Sequence, residues 1–281
     1  MNLRELWIYT KKELDSSNII DSSIESEVLI RKILDLDRSD FFTTLNNHIS
    51  PIKISQIKKN LRKRISGIPL SHITKKREFF GIDFFVNENV LIPRQESELL
   101  VEEVIAFCRK HQKTNLTVVD VGTGSGALAI SIAKNLENVN VIATDISQKA
   151  LQVARKNAEK IHVSNKISFL HSNLLENLKT PANVIVANLP YLSTSEINTL
   201  SLEVKKEPEI ALFGGENGID LIEKLIRQTP KHLKKNGKLI LEISPSQKNI
   251  VFSLIEQSFP KNKPKAHQDF TKIKRAISVE I

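Results

Sequence analysis

Val118-Val119-Asp120-Val121-Gly122-Thr123-Gly124-Ser125-Gly126-Ala127-Leu128-Ala129-Ile130 is the stretch from which the fold can be read. A β-branched apolar run ends in a glycine-rich turn, and a helix-like apolar pattern starts at once. Glycines let a backbone approach a ligand closely and take dihedrals that a side chain forbids. Working outward, strand-like segments at 117–121, 139–144, 167–170, 184–187 and 238–243 alternate with helix-like ones near 126–134, 148–160, 218–229 and 247–257. Such alternation with short links predicts a mostly parallel sheet covered on both faces. The tail, 275–281, alternates as a further strand.

Toward the N-terminus the texture changes. Leu3, Leu6, Trp7 and Leu14 recur at helical spacing, with the Thr10 methyl bridging the gap. Asp21-Ser22-Ser23 can cap a second helix through Ile24, Val28, Leu29 and Leu34, and a third runs from about 54 to 65, stopping at Gly67-Ile68-Pro69. The expected organisation is a small helical domain, residues 1–75, and an α/β domain, residues 76–281, with a hinge around residues 70–80. Glu78-Phe79-Phe80-Gly81-Ile82 reads as a hairpin turning at Gly81. Residues 78–95 form an expected wall between the domains.

Composition sets outer bounds. The 281 residues are 40% hydrophobic and 26% charged, ordinary for a globular chain. Forty-one basic against 32 acidic residues give +9, which favours RNA, the ribosome or an acidic protein as partner, or simply solubility. The single cysteine, Cys108, excludes an intrachain disulfide framework and a cysteine metal cluster. Arg4, Glu5, Lys11, Lys12 and Glu13 interrupt the first apolar pattern, unlike a signal peptide. No uncharged apolar run reaches membrane-span length. The expectation is a cytoplasmic chain with no metal and no membrane partner.

A glycine turn alone also fits a nicotinamide dinucleotide. Here the spacing is Gly-x-Gly-x-Gly, and Asp120 just ahead of it would repel a pyrophosphate. An uncharged nucleoside bearing a sulfonium and an amino acid tolerates that acid, so Gly122, Thr123, Gly124, Ser125 and Gly126 are read as a site for S-adenosylmethionine. Asp120 could anchor its ammonium directly or through water. Asp145, closing the segment 139–144, is placed to accept the ribose hydroxyls, with a helix cap as its structural alternative. Asn173 could bond the adenine amino group and Leu174 pack on the ring; a plain turn is the alternative for Asn173.

Val184-Ile185-Val186-Ala187-Asn188-Leu189-Pro190-Tyr191 sets polar groups at the C-terminal end of a buried strand, where open α/β sheets bind ligands. Asn188 offers donor and acceptor together. Leu189 precedes proline, so its backbone is extended and its carbonyl can point beside the Asn188 oxygen. Two acceptors would grip a planar NH2, with Tyr191 as a flat wall. An amide or base nitrogen is a poor nucleophile, and the site must hold it in line with a sulfonium methyl and favour charge growing on it.

These elements resemble the peptide-chain-release-factor glutamine N5-methyltransferase family over nearly the whole chain. The resemblance rests on the helical N-terminal part, Glu78-Phe79-Phe80-Gly81, Leu91-Ile92-Pro93-Arg94-Gln95-Glu96-Ser97-Glu98, and the glycine turn. Further on it rests on Asn188-Leu189-Pro190-Tyr191 and on Glu207-Pro208 through Gly214-Gly215-Glu216-Asn217-Gly218. Glu242-Ile243, Gln247, Asp269 and Arg275 also fit. It implies a Rossmann-like S-adenosylmethionine-dependent methyltransferase sheet behind a small helical domain, and methylation of the glutamine in the Gly-Gly-Gln loop of class I peptide chain release factors. It also implies a wall near the substrate made by Phe80, Pro93, Arg94 and Glu98, with Arg94 organising it. The helical domain is expected to dock the protein substrate, on or near the ribosome, and the enzyme to be a monomer.

Two departures stand out. The family usually reads Asn-Pro-Pro-Tyr where this chain has Leu189, and an aspartate is common where it has Asn173. Asn-Leu-Pro-Tyr also resembles ribosomal RNA adenine dimethyltransferases. An amino-methyltransferase acting on adenine or cytosine in RNA or DNA is therefore the first rival. A non-catalytic translation or ribosome-assembly factor is the second.

Overall fold

Asn2 accepts from the Glu5 backbone N–H while the Glu5 side chain accepts from the Asn2 N–H, both at 2.9 Å. This capping box starts α1 (Leu3–Ser16). The computed structural model describes residues 1–111 and 115–281. After α1 come α2 (Ser22–Leu34), α3 (Arg38–Thr43), α4 (Pro51–Ile65) and α5 (Leu70–Thr74). Ser50 caps α4 and Pro51 takes its first position, so the helix starts three residues before its apolar pattern does. Leu3, Leu6, Ile30, Phe41 and Ile57 form one core cluster; Leu14, Leu29 and Leu61 form another. Thr10 is fully buried because its hydroxyl donates to the Leu6 carbonyl at 2.8 Å.

The first compact unit comprises Met1–Lys75 together with Ser201–Lys206. Buried Arg64 draws the later segment in, donating to Glu25 (2.5 and 3.0 Å) and to Glu203 (2.8 Å). At Gly67, with φ +89°, an added Cβ would lie 3.2 Å from the Leu202 Cβ. Nothing in the local pattern of 201–206 announces this membership.

The second unit, Lys76–Leu200 with Glu207–Ile281, opens with β1 (Arg77–Phe79) and β2 (Ile82–Phe84). Phe80 and Gly81 both have positive φ (51° and 68°), as a two-residue hairpin turn requires. Phe80 is held in that unusual conformation by Glu98, whose carboxylate accepts its N–H at 2.8 Å. There follow α6 (Glu98–Lys110), β3 (Leu116–Val121), α7 (Ala127–Asn135), β4 (Val139–Asp145), α8 (Gln148–Lys160), β5 (Ile167–His171) and β6 (Ala182–Ala187). The chain continues with α9 (Thr194–Thr199), α10 (Asp220–His232), β7 (Leu233–Glu242), α11 (Lys248–Ser258), β8 (Lys265–Gln268) and β9 (Lys274–Glu280).

The sheet order is β5-β4-β3-β6-β7-β9-β8. The first five strands are parallel, and β9 and β8 run antiparallel. Strand periodicity sorts side chains to two cores. Val118, Val184, Val186 and Ile240 enter one; Val119, Val121, Ile185, Ala187, Leu239 and Leu241 enter the other. Burial on both faces explains why these strands read as continuous apolar runs. The hairpin joins the first core through Phe79, Ile82 and Phe84. Strand order reverses at β3, which has β4 on one side and β6 on the other, so a crevice opens at their C-terminal ends. Among the described residues no helix is long and apolar enough to cross a membrane.

Candidate active site

The glycine turn folds back on β4. The Gly122 and Thr123 N–H groups both donate to the Thr144 carbonyl at 2.9 Å, and Gly124 N–H donates to the Asp145 carboxylate at 2.9 Å. Gly122, Gly124 and Gly126 all have positive φ. At Gly126 a Cβ would lie 2.8 Å from Ile130 and 3.1 Å from Ala154, so this glycine serves close helix packing. Asn157, fully buried on α8, donates to the carbonyls of Ser125 and Phe85 and accepts the Phe85 N–H, fixing the turn from behind.

Asp145 stands at the end of β4, between the glycine turn and the start of α8. One carboxylate oxygen accepts the Ser147 N–H at 2.8 Å, in the turn ahead of α8, while Ser147 itself caps the helix. The carboxylate also lines a cavity of about 1130 Å³, open mouth included, together with Gly122, Thr123, Gly124 and Ser125. Burial pushes its pKa up. Asn173 and Leu174 line the same cavity, Leu174 with φ 53°. Asn173 donates to Glu176 at 3.1 Å.

Asp120 sits elsewhere than expected. It is fully buried behind the turn and absent from the cavity wall; one oxygen accepts from Thr123 Oγ1 (2.6 Å) and the Ala129 N–H (3.1 Å). Its other oxygen has no protein partner. Burial pushes its pKa up to about 7. The geometry makes it a brace between the turn and α7.

Asn188, Leu189 and Pro190 leave the end of β6 and line the cavity beside the glycine turn. The Leu189 side chain covers Gly122, where a Cβ would meet it at 3.1 Å. Asn188 Nδ2 donates to Ser97 Oγ (2.9 Å), and Ser97 Oγ donates to Glu242 Oε2 (2.5 Å). Tyr191 Oη reaches the other oxygen of Glu242 at 3.3 Å. Tyr191 is thus turned from the cavity toward Glu242, not set as a wall. Gln247 Nε2 donates to the carbonyls of Tyr191 (2.9 Å) and Gly218 (2.8 Å). Gly214 and Gly218 let backbone pass so near the loop that a Cβ on either would overlap Pro190 or Tyr191.

The expected wall is redistributed. Pro93 and Arg94 line the cavity together with Phe79 and not Phe80; Glu98 accepts the Phe80 N–H and so supports the hairpin turn from α6. Arg94 donates to buried Glu207 at 2.5 Å, and Glu207 also accepts the Ile92 N–H at 2.8 Å. Arg94 therefore ties the segment before α6 to the Glu207-Pro208 turn.

The chain is 34% identical to a release factor glutamine methyltransferase of Dictyoglomus turgidum, over 99% of this chain and 98% of that one. The chain belongs to the release factor glutamine methyltransferase family. The Lactococcus lactis member is 33% identical over 98% of this chain and all of its own. A bifunctional methyltransferase of Rickettsia felis is 33% identical over 89% of this chain, which spans only about half (53%) of that longer relative. The PrmC N-terminal domain family matches residues 5–74, and the ribosomal protein L11 methyltransferase (PrmA) family matches residues 102–204. A T. thermophilus 16S rRNA methyltransferase, solved with AdoMet and guanosine, shares the fold at TM-score 0.53 and 18% identity, over 73% of this chain and 49% of that one. The second unit thus has the Rossmann-like methyltransferase fold.

In this release factor glutamine methyltransferase family chain, Ser97, Glu242 and Gln247 are bonded to or behind the Asn188 loop and Glu207 holds Arg94, yet sequence reasoning assigned none of them to the site. Glu242 is 3% exposed, and burial pushes its pKa up to about 7. Stability follows from that direction. The unfolded carboxyl titrates near the ordinary ~4.3. The folded state therefore holds its proton more tightly, and the stabilisation present at low pH is lost as pH rises toward about 7. Thermal melts from about pH 5 to 7.5 should show Tm falling, and less so in Glu242→Gln. Equal slopes for both proteins would show that Glu242 is not ionising in this window.

Proposed function

We propose that this chain transfers the methyl group of S-adenosylmethionine to the side-chain amide nitrogen (N5) of the glutamine in the Gly-Gly-Gln motif of class I release factors. The observation that carries this reading is the convergence of Asp145, the glycine turn and the Asn188 loop on one cavity at the strand-order reversal. The cavity fits the cofactor. Asp145 keeps lone pairs for the ribose hydroxyls beyond its two backbone bonds, and Leu174, Ile146 and Ala150 offer an apolar bed for adenine. The cofactor supplies an electrophilic methyl on a sulfonium.

The protein's work is positioning. Asn188 Oδ1 and the Leu189 carbonyl accept the two amide hydrogens and hold the nitrogen lone-pair face toward the methyl. As positive charge grows on nitrogen these contacts strengthen, which is transition-state stabilisation by fixed dipoles. The N–H becomes acidic only as methylation proceeds, so no strong base is needed. Pro93, Arg94 and Phe79 narrow the mouth beside it, a slot suited to a glycine-flanked glutamine.

Tritiated cofactor incubated with unmodified release factor, ribosomal RNA and plasmid DNA in parallel is expected to label only the factor, at the Gly-Gly-Gln peptide. A labelled base with the factor unlabelled would transfer the assignment to the nucleic-acid enzyme. Cofactor binding with no labelled product would favour a non-catalytic role.

Residues 1–75 act in this reading as the docking unit for the factor. The support is their separate core and the confinement of the cavity lining to residues of the second unit. A chain beginning at residue 76 should bind cofactor normally and methylate a short Gly-Gly-Gln peptide at the parent rate. Its kcat/KM for the full-length factor should fall by about tenfold or more. Equal kcat/KM on the full-length factor would exclude docking.

A further inference from the structure

We propose that Ser97 and Glu242 are positioning residues that fix which face of the Asn188 amide meets the substrate, making Asn188 an acceptor there. This deepens the methyl-transfer reading above and rests on it for its kinetic consequence. The Ser97 hydroxyl has one proton, and the Glu242 carboxylate 2.5 Å away takes it once pH exceeds about 7, where Glu242 is ionised. Toward Asn188, 2.9 Å away, Ser97 can then only accept, so the group facing it must be Nδ2. Oδ1 is left on the opposite branch of the amide. A substrate NH2 brings donors and needs that oxygen; an amide turned over would present its own donors and repel it.

Burial enforces the choice. Ser97 is 4% exposed and Glu242 3%, so water does not scramble the directions. Glu242 also holds the Tyr191 hydroxyl on its second oxygen, so one carboxylate anchors both ends of the four-residue loop. Burial and Glu96 disfavour the charged form of Glu242, while its bonds to Ser97 and Tyr191 and the charge of Arg275 favour it. An ionised acceptor at the end of the relay makes Ser97 Oγ a better acceptor, which polarises the Asn188 N–H and pushes density onto Oδ1, strengthening it as the substrate nitrogen becomes positive.

The test compares the parent with Ser97→Ala, Ser97→Thr and Glu242→Met. Kinetics on release factor are combined with cofactor titration and with amide spectra of protein carrying 15N-asparagine. Ser97→Ala removes the acceptor for Nδ2. Glu242→Met frees the Ser97 proton to turn toward Asn188. Both should lower kcat by about tenfold or more, with KM and cofactor affinity within a few-fold, and Ser97→Thr should restore kcat. In the spectra one Asn188 Nδ2 proton should carry a hydrogen-bonded shift in the parent and in Ser97→Thr, and lose it in Ser97→Ala. An unchanged Asn188 signal in folded Ser97→Ala, or parent-like kcat in both Ser97→Ala and Glu242→Met, would overturn the relay. A parent showing the shifted Asn188 proton but methylating no release factor would instead leave the relay standing and sink the substrate assignment.

Discussion

Asn188→Ala is expected to lower kcat for glutamine methylation by about a hundredfold or more, with S-adenosylmethionine affinity within a few-fold of the parent. The side chain does not shape the glycine turn, whose contacts run to Thr144, Asp145 and Asn157. Its truncation therefore spares the cofactor half of the cavity. In the proposed mechanism what disappears is an acceptor held at the reacting amide, an interaction that strengthens as the nitrogen becomes positive, so the loss is expected to fall on kcat more than on KM. Folding should suffer little, since Ser97 still donates to Glu242 and loses only the Nδ2 contact. Steady-state rates with cofactor titration decide the matter. Activity within a few-fold of the parent would reduce Asn188 to a turn residue and remove the basis of the proposed mechanism.

Gly218→Ala should be nearly as damaging, although residue 218 lines no part of the cavity. Its φ is +70°, and an added Cβ would sit 2.2 Å from the Tyr191 carbonyl oxygen and 3.0 Å from Gln247 Nε2. The conformation alone costs roughly 1–2 kcal/mol for a residue with a side chain. The overlap cannot be relieved by a rotamer, because the obstacle is backbone. The Asn188–Tyr191 loop has to move, and a displacement of about 1 Å at a reacting group can cost on the order of a hundredfold in rate. A Tm lower by about 5 °C should accompany the loss. Gly81→Ala is the control: φ is +68°, but no atom lies within 4 Å of the added Cβ. It should lose only conformational stability and keep the parent kcat. Parent-like kcat in Gly218→Ala would show that the loop is not braced from this side.

The sheet was legible because its strands are buried on both faces, so Val118–Val121 and Val184–Ala187 announce themselves without any partner in view. Elements whose existence depends on partners were not legible. α3 and α5, of six and five residues, are too short to show a helical period. β8 is an edge strand reading Lys-Ala-His-Gln, with no alternation to detect. The helix expected from residue 218 starts at Asp220 because the preceding glycines are occupied in passing Tyr191. At the candidate site, residues inside a motif were named from the sequence and residues reaching it through space were not. Ser97 and Glu242 are 145 positions apart, and neither carries a local pattern that reveals the hydrogen bond between them.

The return of residues 201–206 to the helical unit bears on how the protein is made. During vectorial synthesis α1 to α5 leave the ribosome first, and their apolar clusters can assemble at once. Yet Arg64, buried in that bundle, receives its second carboxylate only from Glu203. Until more than a hundred further residues have emerged, this guanidinium must rely on Glu25 alone. The bundle is thus complete only after β3, β4, β5 and β6 have been translated. A nascent chain arrested before residue 201 should carry a looser α2–α4 pair than the finished protein, readable as faster amide exchange around Arg64.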